Sequence, residues 1–224
     1  MNLPVNTILF RDMTEEEITE ALEYLRATPH KYRRNQYVLR AGRTTDNIGL
    51  VTSGSVTIES NDMWGNRTVL SKIGPGDIFA ETYALVRTEP LLVDVRADEQ
   101  TEILWFNVTP LTSEIQSDNS LGSRSGSPVK AKLIRNLLLI SSRKNLLLSR
   151  RSFHTSPKKV RARIQAYLNS VSLQQGSKDF DIPFDRQQMA DYLNLDRTAL
   201  SKELGRMKRE GIIDFWKNHF RIIG

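Results

Sequence analysis

The 224 residues are 39% hydrophobic, enough for the core of one large domain or two ordinary ones, and no apolar run reaches the roughly 20 residues that a bilayer span needs. The absence of cysteine removes disulfides, thiolate zinc sites, iron–sulfur ligation and a cysteine nucleophile, and three scattered histidines, His30, His154 and His219, read as surface or capping residues, so no metal site and no catalytic constellation is expected. The net charge of +6 divides unevenly, with 11 Lys+Arg against 16 Asp+Glu in residues 1–110 and 21 against 10 in residues 111–224, as in an acidic sensor or scaffold joined to a nucleic-acid binder.

The first stretch, MNLPVNTILFRDMTEEE, turns acidic where a signal peptide would continue apolar, which reads as a cytoplasmic protein. Thr14 and Glu17 form a capping box ahead of Ile18, Leu22 and Leu25, so a short helix starts there. From Tyr32 to Val108 the pattern changes to short runs, QYVLR, IGLVTSG, SVTIES, RTVLSKI, VDVRA and EILWFNV, separated by glycines. Closely spaced strands with glycine turns predict an antiparallel roll of jelly-roll or cupin-like type, with NDMWGNR as a hairpin tip using positive φ at Gly65 or Asn66.

The polar stretch SDNSLGSRSGSPV reads as a connector over 117–128. A long helix over 129–155 follows, in which Leu133, Leu137, Ile140 and Leu147 fall at the spacing of a coiled-coil seam and are assigned to dimerisation. Ile134, Leu138, Leu139, Leu146 and Leu148 add a second apolar face, which predicts one face against the roll and the other against a partner subunit. Ser156 and Pro157 then read as the N-cap and N1 of a new helix and as a hinge between domains.

In DRQQMADYLNLDRTALSKELGRMKREGIIDFWKNHFRII, Asp185 caps one helix with Gln188 as its return partner, Asn194 takes the turn, and Asp196 caps a second helix. Ala199, Leu200, Leu204 and Met207 face inward, which leaves Arg197, Thr198, Ser201, Lys202 and Arg206 outside. Two capped helices across a tight turn make a helix-turn-helix, and two strands around Lys217-Asn218 make a wing, giving a winged-helix domain over 156–224.

Three segments, IGLVTSGSVTI, IGPGDIFAE and DRQQMADYLNLDRTALSKELGRMKREGII, follow one another as in the Crp/Fnr family of bacterial transcription regulators, which the chain resembles from Tyr32 to Ile223. The resemblance implies an α+β chain with a cyclic-nucleotide-type sensor roll over 1–116, a dimerisation helix and a winged helix. It places base-reading residues at Arg197, Thr198, Ser201 and Lys202 and entry contacts at Arg186 and Gln187, and implies a homodimer on a palindromic double-stranded DNA operator, with RNA polymerase as a partner.

Two departures bear on the effector. Ala80 precedes Glu81 where cyclic-AMP-binding members have Gly-Glu, and Leu91-Leu92 replaces the Arg-Ser pair whose arginine neutralises the cyclic phosphate. Cyclic AMP is therefore disfavoured, an iron–sulfur cluster has no ligands, haem has no histidine where the resemblance would want one, and no cofactor is expected. The pocket residues are Glu81, Tyr83, Leu91, Leu92, Leu148 and Ser149, lining either a site for an apolar or aromatic effector or a packed core without a ligand. Two alternatives stay open: a cyclic-nucleotide sensor using Arg87 or Arg96 as a displaced phosphate partner, and a cupin-like binding protein or enzyme.

Overall fold

The computed structural model describes residues 7–61, 64, 67–113 and 127–223. The proposed hairpin tip at Gly65 and Asn66, and nearly all of the connector, lie outside the described residues. The chain divides into two compact units, 1–142 and 143–224, with the cut inside one long helix.

In the first unit, α1 (Glu15–Tyr24) starts at the expected capping box: Thr14 accepts from the Glu17 N–H, and the Glu17 carboxylate accepts from the Thr14 N–H at 2.9 Å. Eight strands follow: β1 (Thr28–Tyr32), β2 (Tyr37–Leu39), β3 (Asn47–Ser53), β4 (Val56–Asn61), β5 (Arg67–Ile73), β6 (Ile78–Phe79), β7 (Asp94–Ala97) and β8 (Thr101–Asn107). They form two antiparallel sheets, in the orders β1-β8-β3-β6 and β2-β7-β4-β5, with α2 (Glu81–Val86) after β6 and α3 (Thr109–Ser113) after β8.

Alternation along β8 explains the core. Ile103 and Trp105 join Val51, Val56, Phe79 and Val95 in a cluster contributed by both sheets, whereas Leu104 and Phe106 join Ile18, Leu25 and Leu133 in a second cluster with the helices. Both faces of β8 are covered, which is why ILWF is a continuous apolar run. Gly49 of β3 is required here, because a Cβ would run into the Phe79 ring.

The helix α4 (Pro128–Thr155) corrects the assignment of its faces. Leu133, Leu137 and Ile140, assigned above to dimerisation, are at most 6% exposed and belong to the core of the first unit with Leu9, Phe10 and Ala21. Asn136 shares that side and fixes it, donating to the carbonyls of Leu9 at 3.0 Å and Arg11 at 2.9 Å. Of the four seam residues, Leu147 alone stands exposed, together with Ile134, Leu138, Leu139, Leu146 and Leu148. A helix apolar on more than one side presents two stripes, and the one with the polar anchor, Asn136, is the one its own domain covers.

The second unit contains the end of α4, α5 (Val160–Gln175), β9 (Asp179–Asp181), α6 (Arg186–Tyr192), α7 (Arg197–Arg209), β10 (Ile213–Trp216) and β11 (His219–Ile222), with the strands ordered β10-β11-β9. Ile164, Leu168, Phe180, Met189, Leu193, Leu200, Leu204 and Phe220 are all at most 2% exposed and form its core. Ser156 does not cap α5. Its hydroxyl donates to the Ser152 carbonyl at 2.6 Å and so finishes α4, and α5 begins after Lys159 with no side-chain cap.

Candidate nucleic-acid interface

The helix-turn-helix is set by short-range polar bonds. Asp185 accepts from the Gln188 N–H at 2.8 Å and the Gln188 side chain accepts from the Asp185 N–H at 2.9 Å, the full capping box at the start of α6. Asn194 adopts φ 52°, the left-handed turn expected of it. Asp196 then accepts from the N–H groups of Thr198 at 2.8 Å and Ala199 at 2.9 Å, and the Ala199 bond first holds its carboxyl below the usual range.

This cap fixes the face of α7. Leu200, Leu204 and Met207 point into the core, and Arg197, Thr198, Ser201 and Lys202 are exposed along its first two turns. Arg197 and Lys202 make no close ion pair among the described residues, Lys202 exerting only a weak attraction on Asp196, so both cations face outward toward a polyanion. Arg206 is exposed but partly neutralised, 2.6 Å from Glu203 and 3.8 Å from Glu210. Gln187 is exposed and donates to Asp191 at 2.8 Å.

Arg186, the expected entry contact, is also engaged within its own unit. It is half-buried, donates to the Lys217 carbonyl at 2.9 Å, and stacks over the rings of Phe215 and Phe220 at 5.0 and 5.3 Å. It is a strut from the first residue of α6 to the wing, and it fixes where the Lys217-Asn218 tip lies.

Sequence reasoning missed a second set of residues that hold the motif. Arg151 on α4 donates to the carbonyls of Tyr192 and Asp191 and to the Asn194 side chain, each at 3.3 Å. Arg163 on α5 donates to the carbonyls of Leu193 at 3.2 Å, Asn194 at 2.9 Å and Pro157 at 2.7 Å. Two arginines thus satisfy the orphan carbonyls at the end of α6. His154 is 3% exposed, not a surface residue, with Nδ1 2.9 Å from the Tyr192 hydroxyl and the Tyr167 ring 5.5 Å away. The last turns of α4 and the helix-turn-helix are therefore bonded into one body, so Ser156-Pro157 is not a loose joint. The contacts that Arg151, His154 and Arg163 make to residues 191–194 span 30–43 residues of sequence, beyond any local signal.

The expected effector pocket divides. Ala80 sits at φ 64°, a left-handed conformation unusual for alanine, and Glu81 behind it is 5% exposed. Leu91 is buried, with its backbone paired to Gly42 and Arg43 at 2.8 Å. Leu92 is not a lining residue: it is 76% exposed, and its N–H donates to the Tyr83 hydroxyl at 3.4 Å. Leu148 and Ser149 are exposed residues of α4 in the second unit. Arg87 bonds to Asp46, Thr109 and Thr112, and Arg96 to Asn35 at 2.6 Å with Glu59 3.5 Å away, so both displaced phosphate partners are already engaged. Among the described residues no group of three or more His, Asp or Glu side chains is placed to hold a metal ion, and no helix is long and apolar enough to cross a membrane.

Comparison with known proteins finds one matching family within each unit. Residues 29–118 match the cyclic nucleotide-binding domain family and residues 162–223 the Crp-like helix-turn-helix domain family. The chain is 26% identical to the transcriptional activator protein FnrL of Cereibacter sphaeroides over 204 residues, 90% of this chain and 77% of that one. Its fold is similar to that of the Thermus thermophilus catabolite activator protein, at 23% identity and a TM-score of 0.51 over 96% of this chain and 93% of that one. It is similar also to the c-di-GMP-responsive global regulator CLP of Xanthomonas campestris, at 19% identity and a TM-score of 0.54 over 94% and 100%. Carrying both domains in this order, the chain belongs to the Crp/Fnr family of transcription regulators.

Proposed function

We propose that the protein is a sequence-specific regulator that binds a two-fold symmetric DNA operator as a homodimer in the cytoplasm, and that it is not an enzyme. The observation that carries this reading is the start of α7: two unpaired cations, Arg197 and Lys202, beside the hydroxyls of Thr198 and Ser201, on a helix whose orientation is fixed from behind by caps and core. Arginine and lysine at the head of a recognition helix reach guanine edges in the major groove, and the hydroxyls serve bases or phosphates. The exposed stripe of Leu138, Leu146, Leu147 and Leu148 along α4 supports a second copy as partner, with half-sites about one helical turn, 34 Å, apart.

RNA polymerase is the further partner that a regulator of this family would meet. For the roll, Leu91 is buried where the resemblance would want an arginine, and Arg87 and Arg96 are engaged elsewhere, which supports either an apolar effector or none.

The test is a binding titration of Lys202→Ala on a selected palindrome and on shuffled duplex. Affinity for the palindrome should fall by about 1–3 kcal/mol more than affinity for shuffled DNA. An equal loss on both would assign Lys202 to phosphates.

A further inference from the structure

We propose that the winged-helix unit carries a small-molecule site of its own, a cleft of about 350 Å³ behind the recognition helix that takes a neutral, largely apolar ring compound. Its floor is core: Leu168, Met207 and Ile213 are each at most 2% exposed. Phe153, from the last turn of α4, stands at its edge 65% exposed, with the buried His154 ring edge-on to it at 5.8 Å and the rest of its ring open. The volume falls in the range of small-molecule pockets, about 300–1,000 Å³.

The lining also says what does not bind. None of its side chains is charged, in a half of the chain with 21 Lys+Arg against 10 Asp+Glu, so a phosphate or carboxylate would enter without a fixed counter-charge. Its polar groups are the carboxamides of Gln165 and Asn169, four residues apart and hence one above the other on the same face of α5. Neither makes a hydrogen bond among the described residues. A carboxamide both donates and accepts, so the pair suits a ligand carrying a carbonyl, hydroxyl or amide on one edge of an apolar ring.

The cleft touches the parts whose relative placement matters for DNA. Met207 lies on the inner face of α7, Ile213 and Ile222 on the two strands of the wing, and Gln165 and Asn169 on α5. A molecule held there changes how α7 and the wing seat on α5, and any effect on DNA affinity is matched by an equal effect of DNA on ligand affinity. That coupling rests on the reading of α7 as a DNA-binding helix. The site itself does not.

The experiment uses the full chain without DNA and N-phenyl-1-naphthylamine, a neutral two-ring fluorophore, as probe. Saturable binding is expected, with methyl shifts at Ile212, Ile213 and Ile222 and none at Ile103 in the roll. Ala166→Trp, which fills the cleft, should weaken binding by about tenfold or more. Phe153→Ala, at an exposed position with little cost to folding, should weaken it by about fivefold, and Leu70→Ala on the outside of the roll should leave it unchanged. Probe affinity unchanged from the wild type in both Ala166→Trp and Phe153→Ala, shifts confined to roll methyls, or a change of oligomeric state in Phe153→Ala with probe affinity intact would overturn the proposal. The last result would give the cleft to a second copy of the chain. A failure in any of these leaves DNA binding, measured separately, untouched.

Discussion

The winged-helix unit and the roll unit treat their exposed chemistry in opposite ways. In the former, the groups that set the motif are bonded within the chain: Asp185 and Asp196 cap, Arg151 and Arg163 hold the turn, Arg186 braces the wing, and Arg197 and Lys202 stay bare. In the latter, the segment from Ala80 to Leu92 is folded onto itself, with Tyr83 bonded to the Leu92 backbone, Leu91 buried, and the neighbouring arginines committed to Asp46 and Glu59. A surface kept free next to a rigid scaffold is what recognition of a large polyanion asks for, whereas a segment bonded onto itself spends its polar groups within the fold.

The contrast can be broken first at the core of the second unit. Phe220 is fully buried between β10 and β9, and Phe220→Ala should cost about 3–5 kcal/mol. Thermal unfolding should then show an early transition for the DNA-binding unit and an unshifted one for the roll, reported by the buried Trp105. A single shifted transition would mean the units do not fold separately.

Smaller changes sharpen it. Asp196→Ala leaves the Thr198 and Ala199 N–H groups without their acceptor and should lower the stability of the second unit by about 1 kcal/mol in a denaturant titration. Ala80→Gly should raise the stability of the roll by about 0.5–1 kcal/mol, since a left-handed residue with a Cβ costs roughly 1–2 kcal/mol and the greater freedom of unfolded glycine offsets part of the gain. A loss of stability there would show that the alanine side chain contributes packing that outweighs the strain.

The smallest effect is one of pH. Burial first, then the charge of Arg150, holds the His154 imidazole below its ordinary range. Unfolded histidine titrates near about 6.5, so below that pH the unfolded chain binds more protons than the native one. Stability should fall as pH drops through about 6.5 and level off below the native value. His154→Gln should flatten that part of the curve, and an unchanged slope would assign it to other groups.

How much of this was legible depended on distance along the chain. The capping boxes at Thr14 and Asp185, the left-handed Asn194 and the inward face of α7 were readable because every partner lies within four residues. Six of the eight roll strands showed in their alternation. β1 did not, because TPHKY has a proline and polar residues and is a strand only through its pairing with β8, from Thr28↔Trp105 to Tyr32↔Thr101. The faces of α4 were exchanged for a similar reason: periodicity reveals two apolar stripes, and only the distant carbonyls of Leu9 and Arg11, which Asn136 reaches, decide which one turns inward. The same holds for the arginine clamp behind the turn and for the uncharged cleft, both assembled from three or more separate elements.

Selection of the purified full chain on a library of random duplexes tests the central claim most directly. The account predicts enrichment of a two-fold symmetric sequence with half-sites about one helical turn apart, lost when Arg197 and Lys202 are both replaced by alanine. A pool that stays random, with the protein folded and with cell extract supplied as a source of effector, would contradict it.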